Sequence, residues 1–336
     1  MAGSVNSPAE AFTRMTFGFR DTQALYVVAK LGVADHLVGG PLGAIDLAKK
    51  LGVKPRPLFR VMRALASQGV FTQDRSDRFG LAPIGRLLLS DSPESLRYMA
   101  ISTGEETYKA AGELLHTVRT GETAFDHIYG KGHFDYLAEH EEESRTFNLF
   151  MTQSLRRFGS PLAAYDFKGR STVVDVGGGR GTLLAQVLRA NPRLKGVLFD
   201  LPHGVAEAPQ CLEAEGVAGR CRIVKGDFFR SVPEGGDVYV LSRILHDWPD
   251  EKAAKILANC RKAIKDGGVL VIREAVVPTG DAPAFSKQVD LTMLYLLGGM
   301  ERTEEEWRKL LRSSRFELKR IIKTGQPFDL IEATPS

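Results

Sequence analysis

The chain has 336 residues, 43% of them hydrophobic and 26% charged, which is typical of a folded globular protein and excludes an intrinsically disordered chain. Its first fifteen residues contain neither a basic nor an apolar segment, and no stretch approaches eighteen consecutive apolar residues, so we expect a cytoplasmic protein without a membrane partner. The formal charge of +4 is concentrated in residues 1–102, which hold thirteen Lys or Arg and eight Asp or Glu.

The amino-terminal part is predicted to be mainly helical. Between Thr22 and Ser102 apolar residues recur three and four positions apart, which predicts short helices. Here AIDLAKKLGV and LFRVMRALASQGV are separated by KPRP, a pattern that predicts two helices joined by a tight turn. The following VFTQDRSDRFGLAP predicts two short strands around a polar turn, which would be the wing of a winged helix. Residues 1–102 are therefore predicted to form a winged-helix-like domain.

A winged helix with basic residues raises the alternative of a DNA-binding regulator. Arg56, Arg60 and Arg63 lie on or next to the second helix of the pattern. Apolar residues are interleaved with these arginines, and the excess of positive charge over this part of the chain is modest for a nucleic-acid partner. We therefore expect no nucleic-acid partner.

Residues 103–167 are predicted to continue as a helical linker. The segment TGETAFDHIYGKGHFDYL interrupts it and is predicted to be a loop, whose glycines and aromatic residues would permit movement as a lid. The histidines of this region and most of those elsewhere are expected to be solvated rather than catalytic: His36, His116, His127, His133, His140 and His203.

From Lys168 onward apolar runs rich in β-branched residues alternate with amphipathic helices. Unbroken apolar strands indicate a parallel sheet that is covered on both faces, so residues 168–336 are predicted to form a doubly wound α/β domain. The terminal runs predict an antiparallel hairpin at the edge of that sheet. The predicted strands are STVVDVG, KGVLFDL, CRIVKGD, DVYVLSR, GVLVIREA, FELKRIIKT and FDLIEATPS.

The first of these strands leads through a glycine-rich turn directly into a helix. Glycines in such a turn allow close approach of the backbone to a ligand at the helix N-terminus. Gly177, Gly179 and Gly181 follow Asp175 with the spacing G-x-G-x-G, which favours methionine over the pyrophosphate of dinucleotide sites. Asp200 ends the second strand, where a carboxylate can bind both ribose hydroxyls. These residues indicate a nucleoside cofactor without a 2′-phosphate.

Polar residues also follow the third, fourth and fifth strands. Asp227 and Phe228 follow the third, a carboxylate and a ring that suit adenine, although a helix N-cap is an even alternative for Asp227. The fourth strand leads into LSRILHDW, and the fifth ends at Glu274. Since open α/β sheets bind ligands at the carboxyl ends of their strands, we expect these residues to meet at one site.

Several runs together resemble a known family, the S-adenosylmethionine-dependent small-molecule O-methyltransferases of the caffeic-acid and acetylserotonin type, with their bacterial natural-product-tailoring relatives. These runs are DVGGGRG, FDLP, GDFF, LSRILHDWPDEKAAKIL, IREAVVP and GGMERTEEEW. The resemblance covers nearly the whole chain, and LHDWPDE followed by MERTEEE is more specific than the glycine turn. It implies a Rossmann-like methyltransferase domain, an amino-terminal dimerisation domain and hence a homodimer. It also implies that residues 103–167 line the substrate pocket.

The same resemblance assigns roles to individual residues. His246 would be the general base, with Glu274 and Glu301 beside it, and no metal is expected. S-adenosylmethionine would be held by Asp175, Gly177, Gly179, Asp200, Leu201, Asp227, Phe228 and Arg243. The substrate would contact Phe147, Met151, Asp247 and Met293. Two simpler interpretations stay open, namely that Asp247 caps a helix beginning near Pro249 and that Glu301 caps one beginning near Arg302.

The implied reaction is transfer of a methyl group to a hydroxyl of a small aromatic molecule. A phenol with an ordinary pKa of about 10 is mostly protonated at neutral pH, so its attack is helped by a base, and histidine is the natural candidate. The alternative within the same fold is a relative that binds S-adenosylmethionine and catalyses hydroxylation or decarboxylation instead, because the acceptor pocket decides the outcome.

Overall fold

The structure is a computed structural model that describes residues 7–158 and 161–336. The described residues form two compact units. The first contains the residues before Ala110 together with Glu142–Arg157, and the second contains Ala110–Glu141 together with the residues from Phe158 onward. Among the described residues no helix has both the length and the apolar character needed to cross a membrane.

Residues 7–158 form helices and three short strands. In chain order these are α1 (Pro8–Lys30), α2 (Val33–His36), β1 (Leu42–Gly43), α3 (Ala44–Leu51), α4 (Pro55–Ser67), β2 (Phe71–Gln73), β3 (Arg78–Leu81), α5 (Pro83–Arg86), α6 (Arg97–Gly104), α7 (Glu106–Gly112), α8 (Leu114–Thr120), α9 (Ala124–Tyr129), α10 (His133–Glu139) and α11 (Glu141–Phe158).

The first unit contains the predicted pair of helices and the hairpin after them. α3 packs against α4, and β2 pairs with β3 in the antiparallel sheet β1-β3-β2. Apolar side chains from these elements, among them Leu47, Met62, Leu65 and Phe79, are almost fully buried in one core. The two helices and the hairpin are thereby confirmed, whereas the winged-helix interpretation stays a prediction.

Helix α1 begins well before the helical region that the apolar pattern predicts. The Ser7 hydroxyl accepts a hydrogen bond from the Glu10 amide (3.2 Å), and the Glu10 carboxylate accepts one from the Ser7 amide (2.8 Å). Pro8 occupies the first helical position, where its missing N–H costs nothing. This capping box starts the helix fourteen residues before Thr22, on a segment that is largely exposed and therefore lacks an apolar period.

The segment TGETAFDHIYGKGHFDYL is not a loop, because it contains α9 and the start of α10. The Thr123 hydroxyl caps α9 by accepting from the Asp126 amide (3.2 Å), and Gly121 and Gly130 end α8 and α9. Phe125 is fully buried. The glycines thus separate short helices that are fixed by an aromatic core, and the prediction of a loop was wrong.

Residues 161–336 alternate strands and helices as predicted. The elements are β4 (Thr172–Val176), α12 (Thr182–Ala190), β5 (Lys195–Asp200), α13 (Ala208–Ala214), β6 (Cys221–Lys225), β7 (Val238–Ser242), α14 (Asp250–Ala263), β8 (Val269–Glu274), α15 (Phe285–Leu296), α16 (Glu304–Ser313), β9 (Phe316–Ile322) and β10 (Asp329–Pro335). Short 3-10 turns occur at Pro161–Ala164, Ala218–Arg220 and Leu245–Asp247.

The second unit is built on a seven-stranded sheet in the order β6-β5-β4-β7-β8-β10-β9. The strands from β6 to β8 are parallel, and β10 is antiparallel to both of its neighbours. The order reverses at β4, which pairs with β5 on one side and β7 on the other. This confirms the Rossmann-like doubly wound sheet with an antiparallel edge hairpin. The crevice beside β4, at the carboxyl ends of the strands, is where such sheets bind ligands.

Candidate active site

The glycine turn after β4 has a backbone that side chains would disturb. Gly177 and Gly179 have φ values of +74° and +54°, in the region that favours glycine. A Cβ atom at Gly177 would lie 2.5 Å from Cδ1 of Ile244, whereas one at Gly179 would meet no atom of residues 7–158 or 161–336 within 4 Å. At Gly177 the turn therefore packs against the segment after β7, whereas open space lies in front of Gly179.

Asp200, at the end of β5, fixes this turn. Its Oδ2 accepts a hydrogen bond from the Gly179 amide (2.8 Å), and its Oδ1 accepts one from the Leu201 amide (2.6 Å). Burial raises the pKa of Asp200, and these two amide bonds oppose the rise. A carboxylate has about four acceptor positions, so it can still bind a pair of hydroxyls.

Asp175 is buried behind the turn, with 2% of its surface exposed. Among the described residues neither of its carboxyl oxygens has a hydrogen-bond partner. Burial raises the pKa of Asp175 to about 7, and the neighbouring charge of Asp200 adds to the rise. A buried acceptor without a donor, next to a glycine turn with open space in front, fits a ligand that brings its own donor or positive charge.

Asp227 and Phe228 lie in the turn after β6. Oδ1 of Asp227 accepts from the Phe229 amide (2.8 Å), so this carboxylate closes a local turn and does not cap an α-helix. The Phe228 carbonyl accepts from Nδ2 of Asn259 (2.8 Å), and its ring lies edge-on to Trp248 with centroids 6.3 Å apart. The two residues are thus held in place beside an aromatic wall.

Arg243 leaves β7 in an unusual conformation for an arginine, with a φ of +57°. Its amide donates to the Arg273 carbonyl (3.0 Å), and its guanidinium lies 5.2 Å from the centre of the Phe328 ring. Its positive charge opposes the rise that burial causes in the pKa of Asp247, Glu274 and Glu301.

His246 lies in the 3-10 turn after β7 and is 1% exposed. Its Nδ1 is 2.6 Å from Oε1 of Glu301 and 3.4 Å from Oε2 of Glu274. Its Nε2 is 3.3 Å from Oδ1 of Asp247. The structure therefore brings the three predicted catalytic residues together, although 55 positions separate the first from the last in the chain.

Glu274, the last residue of β8, is fully buried and holds the backbone of this turn. Its Oε1 accepts hydrogen bonds from the amides of Ile244 (2.9 Å), Leu245 (3.0 Å) and His246 (3.4 Å). One carboxylate oxygen thus fixes the three residues that carry the imidazole, while the other faces Nδ1.

Burial raises the pKa of every carboxyl group in the cluster. The pKa of Glu301 rises to about 8 although Arg243 opposes it, and that of Asp247 rises to about 7 although His246 opposes it. Burial also raises the pKa of Glu274. Nδ1 of His246 lies beside Glu301 and Glu274, and Nε2 lies beside Asp247, so each ring nitrogen faces a carboxyl oxygen.

The two capping interpretations do not hold. α14 begins after Pro249 without a side-chain cap, and α16 is capped by Thr303 with Glu306 as its capping-box partner. Asp247 and Glu301 are therefore not required as helix caps.

The residues predicted to contact a substrate lie on different elements. Phe147 and Met151 are partly buried on α11, in the first unit, and Met293 is buried on α15, in the second. Their contact with substrate stays a prediction.

Sequence reasoning missed residues that support the cluster. Arg302 is fully buried and donates to carbonyls around His246. A Cβ atom at Gly299 would lie 2.0 Å from the His246 carbonyl oxygen, and Asp290 accepts from the Glu301 amide (2.8 Å). The run GGMERTEEEW contains Gly299 and Arg302, but the sequence pattern does not indicate what they contact.

His133 corrects the expectation that the other histidines are solvated. It is 4% exposed and packs edge-on against Phe125, with ring centroids 4.9 Å apart. Burial lowers the pKa of His133 to about 4, so this histidine is neutral at physiological pH.

Two family profiles match the chain. The O-methyltransferase domain matches residues 112–317, and the O-methyltransferase dimerisation domain matches residues 13–91.

Individual proteins match over nearly the whole chain. A phenazine O-methyltransferase of Lysobacter antibioticus is 45% identical over 96% of this chain and 95% of its own length. The crystal structure of LaPhzM is 44% identical and covers 98% of this chain and 99% of its own, with a TM-score of 0.94. An O-methyltransferase from neocarzinostatin biosynthesis, solved with S-adenosylmethionine and 2-hydroxy-5-methyl naphthoic acid, is 31% identical with a TM-score of 0.86 and covers 96% of this chain and 98% of its own.

Proposed function

The chain belongs to the S-adenosylmethionine-dependent O-methyltransferases, and from that premise we propose that it methylates a hydroxyl of a small aromatic natural product, with His246 as general base and without a metal ion. The observation that carries the proposal is the 2.6 Å contact between Nδ1 of His246 and Glu301, which supports Nε2 as the proton acceptor.

The base is arranged as chemistry at a hydroxyl requires. Ionised Glu301 accepts from the Nδ1 proton, which fixes the tautomer and stabilises the imidazolium that forms when Nε2 takes a proton, as the acid of a hydrolytic triad does. Because the pKa of Glu301 is raised to about 8, this ionised form becomes more populated as the pH rises toward 8. Such a base contributes roughly 10²–10⁴-fold to the rate. Alignment of the acceptor oxygen in a site from which water is excluded accounts for most of the rest, and the burial of His246 supports such exclusion.

The cofactor supplies an activated methyl group when it is bound. Open space before Gly179 and the unsatisfied carboxyl of Asp175 support a methionine moiety against the turn that includes Gly177. We assign Asp200, with the adjacent Leu201, to the ribose hydroxyls. Asp227 and Phe228 would bind the adenine.

Arg243 is assigned to the cofactor side of the site, where its charge also acts on the acids around His246. The resemblance implies the contact with the cofactor, and the position of the guanidinium supports the electrostatic effect on the acids. A guanidinium near three buried carboxyl groups reduces the cost of ionising them.

One distance supports metal independence. His246, Glu274 and Glu301 bring donor atoms within 4.8 Å of one another, a set that could hold an ion. Two ligands of one tetrahedral zinc ion, each about 2.1 Å from it, lie about 3.4 Å apart. The contact between Nδ1 of His246 and Glu301 is 2.6 Å, which is the length of a charge-assisted hydrogen bond.

The acceptor class rests on the relatives. One is named for phenazine and another was solved with 2-hydroxy-5-methyl naphthoic acid, both of them fused aromatic systems. We propose an aromatic acceptor with its hydroxyl beside Nε2 of His246 and Asp247, and with Met293 against its ring. We also propose a homodimer, since residues 13–91 match the dimerisation domain.

The test combines binding and turnover. Titration calorimetry with S-adenosylhomocysteine measures cofactor binding, and transfer of a labelled methyl group is screened over phenols, hydroxynaphthalenes and hydroxyphenazines. We expect O-methylated product, unchanged by EDTA. We expect His246→Ala to lower kcat by roughly 10²–10⁴-fold while S-adenosylhomocysteine still binds.

His36→Ala, on the exposed end of α2, is the matched control and should leave kcat unchanged. Equal kcat in His246→Ala and the native enzyme would refute the base. Loss of turnover in EDTA that zinc or magnesium restores would refute metal independence. Binding of S-adenosylhomocysteine without methyl transfer to any acceptor would favour the alternative that the enzyme catalyses hydroxylation or decarboxylation.

A further inference from the structure

Arg302 is an arginine with no exposed surface, a costly state for a charged group unless it is fully paired. Its guanidinium makes four hydrogen bonds and an ion pair. Nε and Nη2 reach Oδ1 of Asp250 (both 2.9 Å), Nη2 also donates to the Trp248 carbonyl (2.9 Å), and Nη1 donates to the carbonyls of Leu245 (3.0 Å) and Met300 (3.3 Å). The guanidinium also lies 5.3 Å from the centre of the Trp307 ring.

These acceptors surround the general base. Leu245 precedes His246 and Trp248 follows it by two positions, so the guanidinium joins both ends of the turn that carries the imidazole. Glu274 holds the amides of that turn, and Arg302 holds its carbonyls. The turn is thus fixed from both sides by charged groups.

The backbone of Arg302 ties the same turn to the strand beside it. The Arg302 carbonyl accepts from the Val277 amide (2.9 Å), three residues beyond the end of β8. Glu301 precedes Arg302 directly, and the Met300 amide donates to the His246 carbonyl (2.9 Å). One segment therefore carries both the partner of Nδ1 and the group that fixes the turn of the imidazole.

We propose that Arg302 is a positioning residue for the methyl transfer, which holds the turn of His246 in register with Glu301 without touching cofactor or substrate. The proposal rests on the function proposed above. The hydrogen bond between Nδ1 of His246 and Glu301 joins two separate segments. A shift of the turn by a fraction of the hydrogen-bond length therefore breaks this bond.

The planar fork of arginine is required for this role. Lysine keeps the charge but has three donors around one nitrogen, so it cannot reach Asp250 and both flanking carbonyls together. Methionine keeps most of the volume and removes every donor. The two variants therefore separate the effect of charge from the effect of geometry.

The test measures kcat, KM and the state of the His246 proton. We expect Arg302→Met to lower kcat by about 10²-fold and Arg302→Lys by about 10-fold, because small misplacements of catalytic groups cost rates of this order. KM for S-adenosylmethionine and binding of S-adenosylhomocysteine should stay near native values. The downfield proton resonance of Nδ1, assigned by its loss in His246→Ala, should disappear in Arg302→Met.

Asp250→Asn keeps the experiment decisive if Arg302→Met does not fold. The Asp250 side chain is 57% exposed and supplies only one of the acceptors, so this variant should fold, with a smaller fall in kcat and a weakened resonance. Arg308→Met is the matched control, since Arg308 lies on α16 with a 48% exposed side chain and pairs with Glu304. Arg308→Met should change neither kcat nor the Nδ1 resonance.

Native kcat together with a native Nδ1 resonance in Arg302→Met, or in Asp250→Asn if the former does not fold, would overturn the proposal. Loss of cofactor binding in parallel with kcat would also overturn it, because it would mean general unfolding of the site. The resonance is measured without turnover, so it reports on Arg302 even if His246 proves not to be the base.

Discussion

At the scale of single residues, Asp175 shows how burial makes stability depend on pH. Its folded-state pKa of about 7 lies above the ordinary value of 3.8, so between these values the folded protein holds a proton that the unfolded chain has released. The contribution of Asp175 to the free energy of unfolding therefore falls as pH rises from about 4 to about 7, by at most about 4 kcal/mol.

Asp175→Asn should remove this contribution. We expect the cofactor-free variant to lose less stability than the native protein between about pH 5 and about pH 8, in urea unfolding followed at both pH values. The other carboxyl groups with raised pKa values titrate in both proteins. The difference in stability loss between the two proteins therefore reports on Asp175 alone. An equal loss of stability in both proteins would show that the Asp175 carboxyl gains a partner in solution.

At the scale of elements, the segment before α16 depends on a close backbone approach at Gly299. A methyl group there would overlap the His246 carbonyl oxygen and the backbone of Asp247 and Trp248, none of which is the flexible end of a side chain. We expect Gly299→Ala to lower the unfolding temperature and to reduce kcat by at least about 10-fold, because the segment with Glu301 must move away from the turn.

Thermal unfolding and steady-state kinetics measure both effects. Gly219→Ala is the matched control, since a Cβ atom there meets nothing within 4 Å and Gly219 lacks a positive φ. A native kcat in Gly299→Ala would show that the segment adapts without disturbing the base.

The strands of the second unit were predictable because they are short apolar runs between polar turns. The runs ending at Asp200 and Glu274 are β5 and β8 in the structure. Helix α1 was only partly predictable, because an exposed helix has no apolar period, although the capping signature of Ser7 and Glu10 was visible. The glycines around α9 misled the prediction, since the same residue type ends helices and opens loops.

The candidate site was predictable as far as it follows strand ends. His246 and Glu274 both follow or end parallel strands, so topology alone brings them to one edge of the sheet. Glu301 was found by resemblance, because no local pattern links it to a residue 55 positions away. Arg302 and Gly299 act through backbone carbonyls and close packing, which a sequence does not display.

At the scale of the whole molecule, the exposed apolar side chains of α1 bear on the proposed homodimer. Phe12 and Met15 are 72% and 81% exposed and lie three positions apart on one helix face. Residues of this kind are typical of surfaces that become buried on association. Met15 also lies within residues 13–91, which match the dimerisation domain.

We expect the native protein to have twice the 36.9 kDa mass of one chain in light scattering, because burial of this face favours association. Phe12→Glu combined with Met15→Glu should shift the mass toward a single chain at low concentration. Thr13→Glu adds a charge to the same exposed helix away from that face and is the control. A doubly charged variant that keeps the double mass would place the interface elsewhere.

The order of the large sheet also limits how copies of the chain can join. Its two outer strands are β6 and β9, and each presents unsatisfied backbone groups to any extended chain that approaches. β9 carries Glu317, Lys319 and Arg320 on exposed positions, and β6 carries Arg222 and Lys225. Charges at both rims oppose edge-to-edge pairing, so association through the sheet edges into open-ended polymers is disfavoured, and this agrees with the homodimer proposed above.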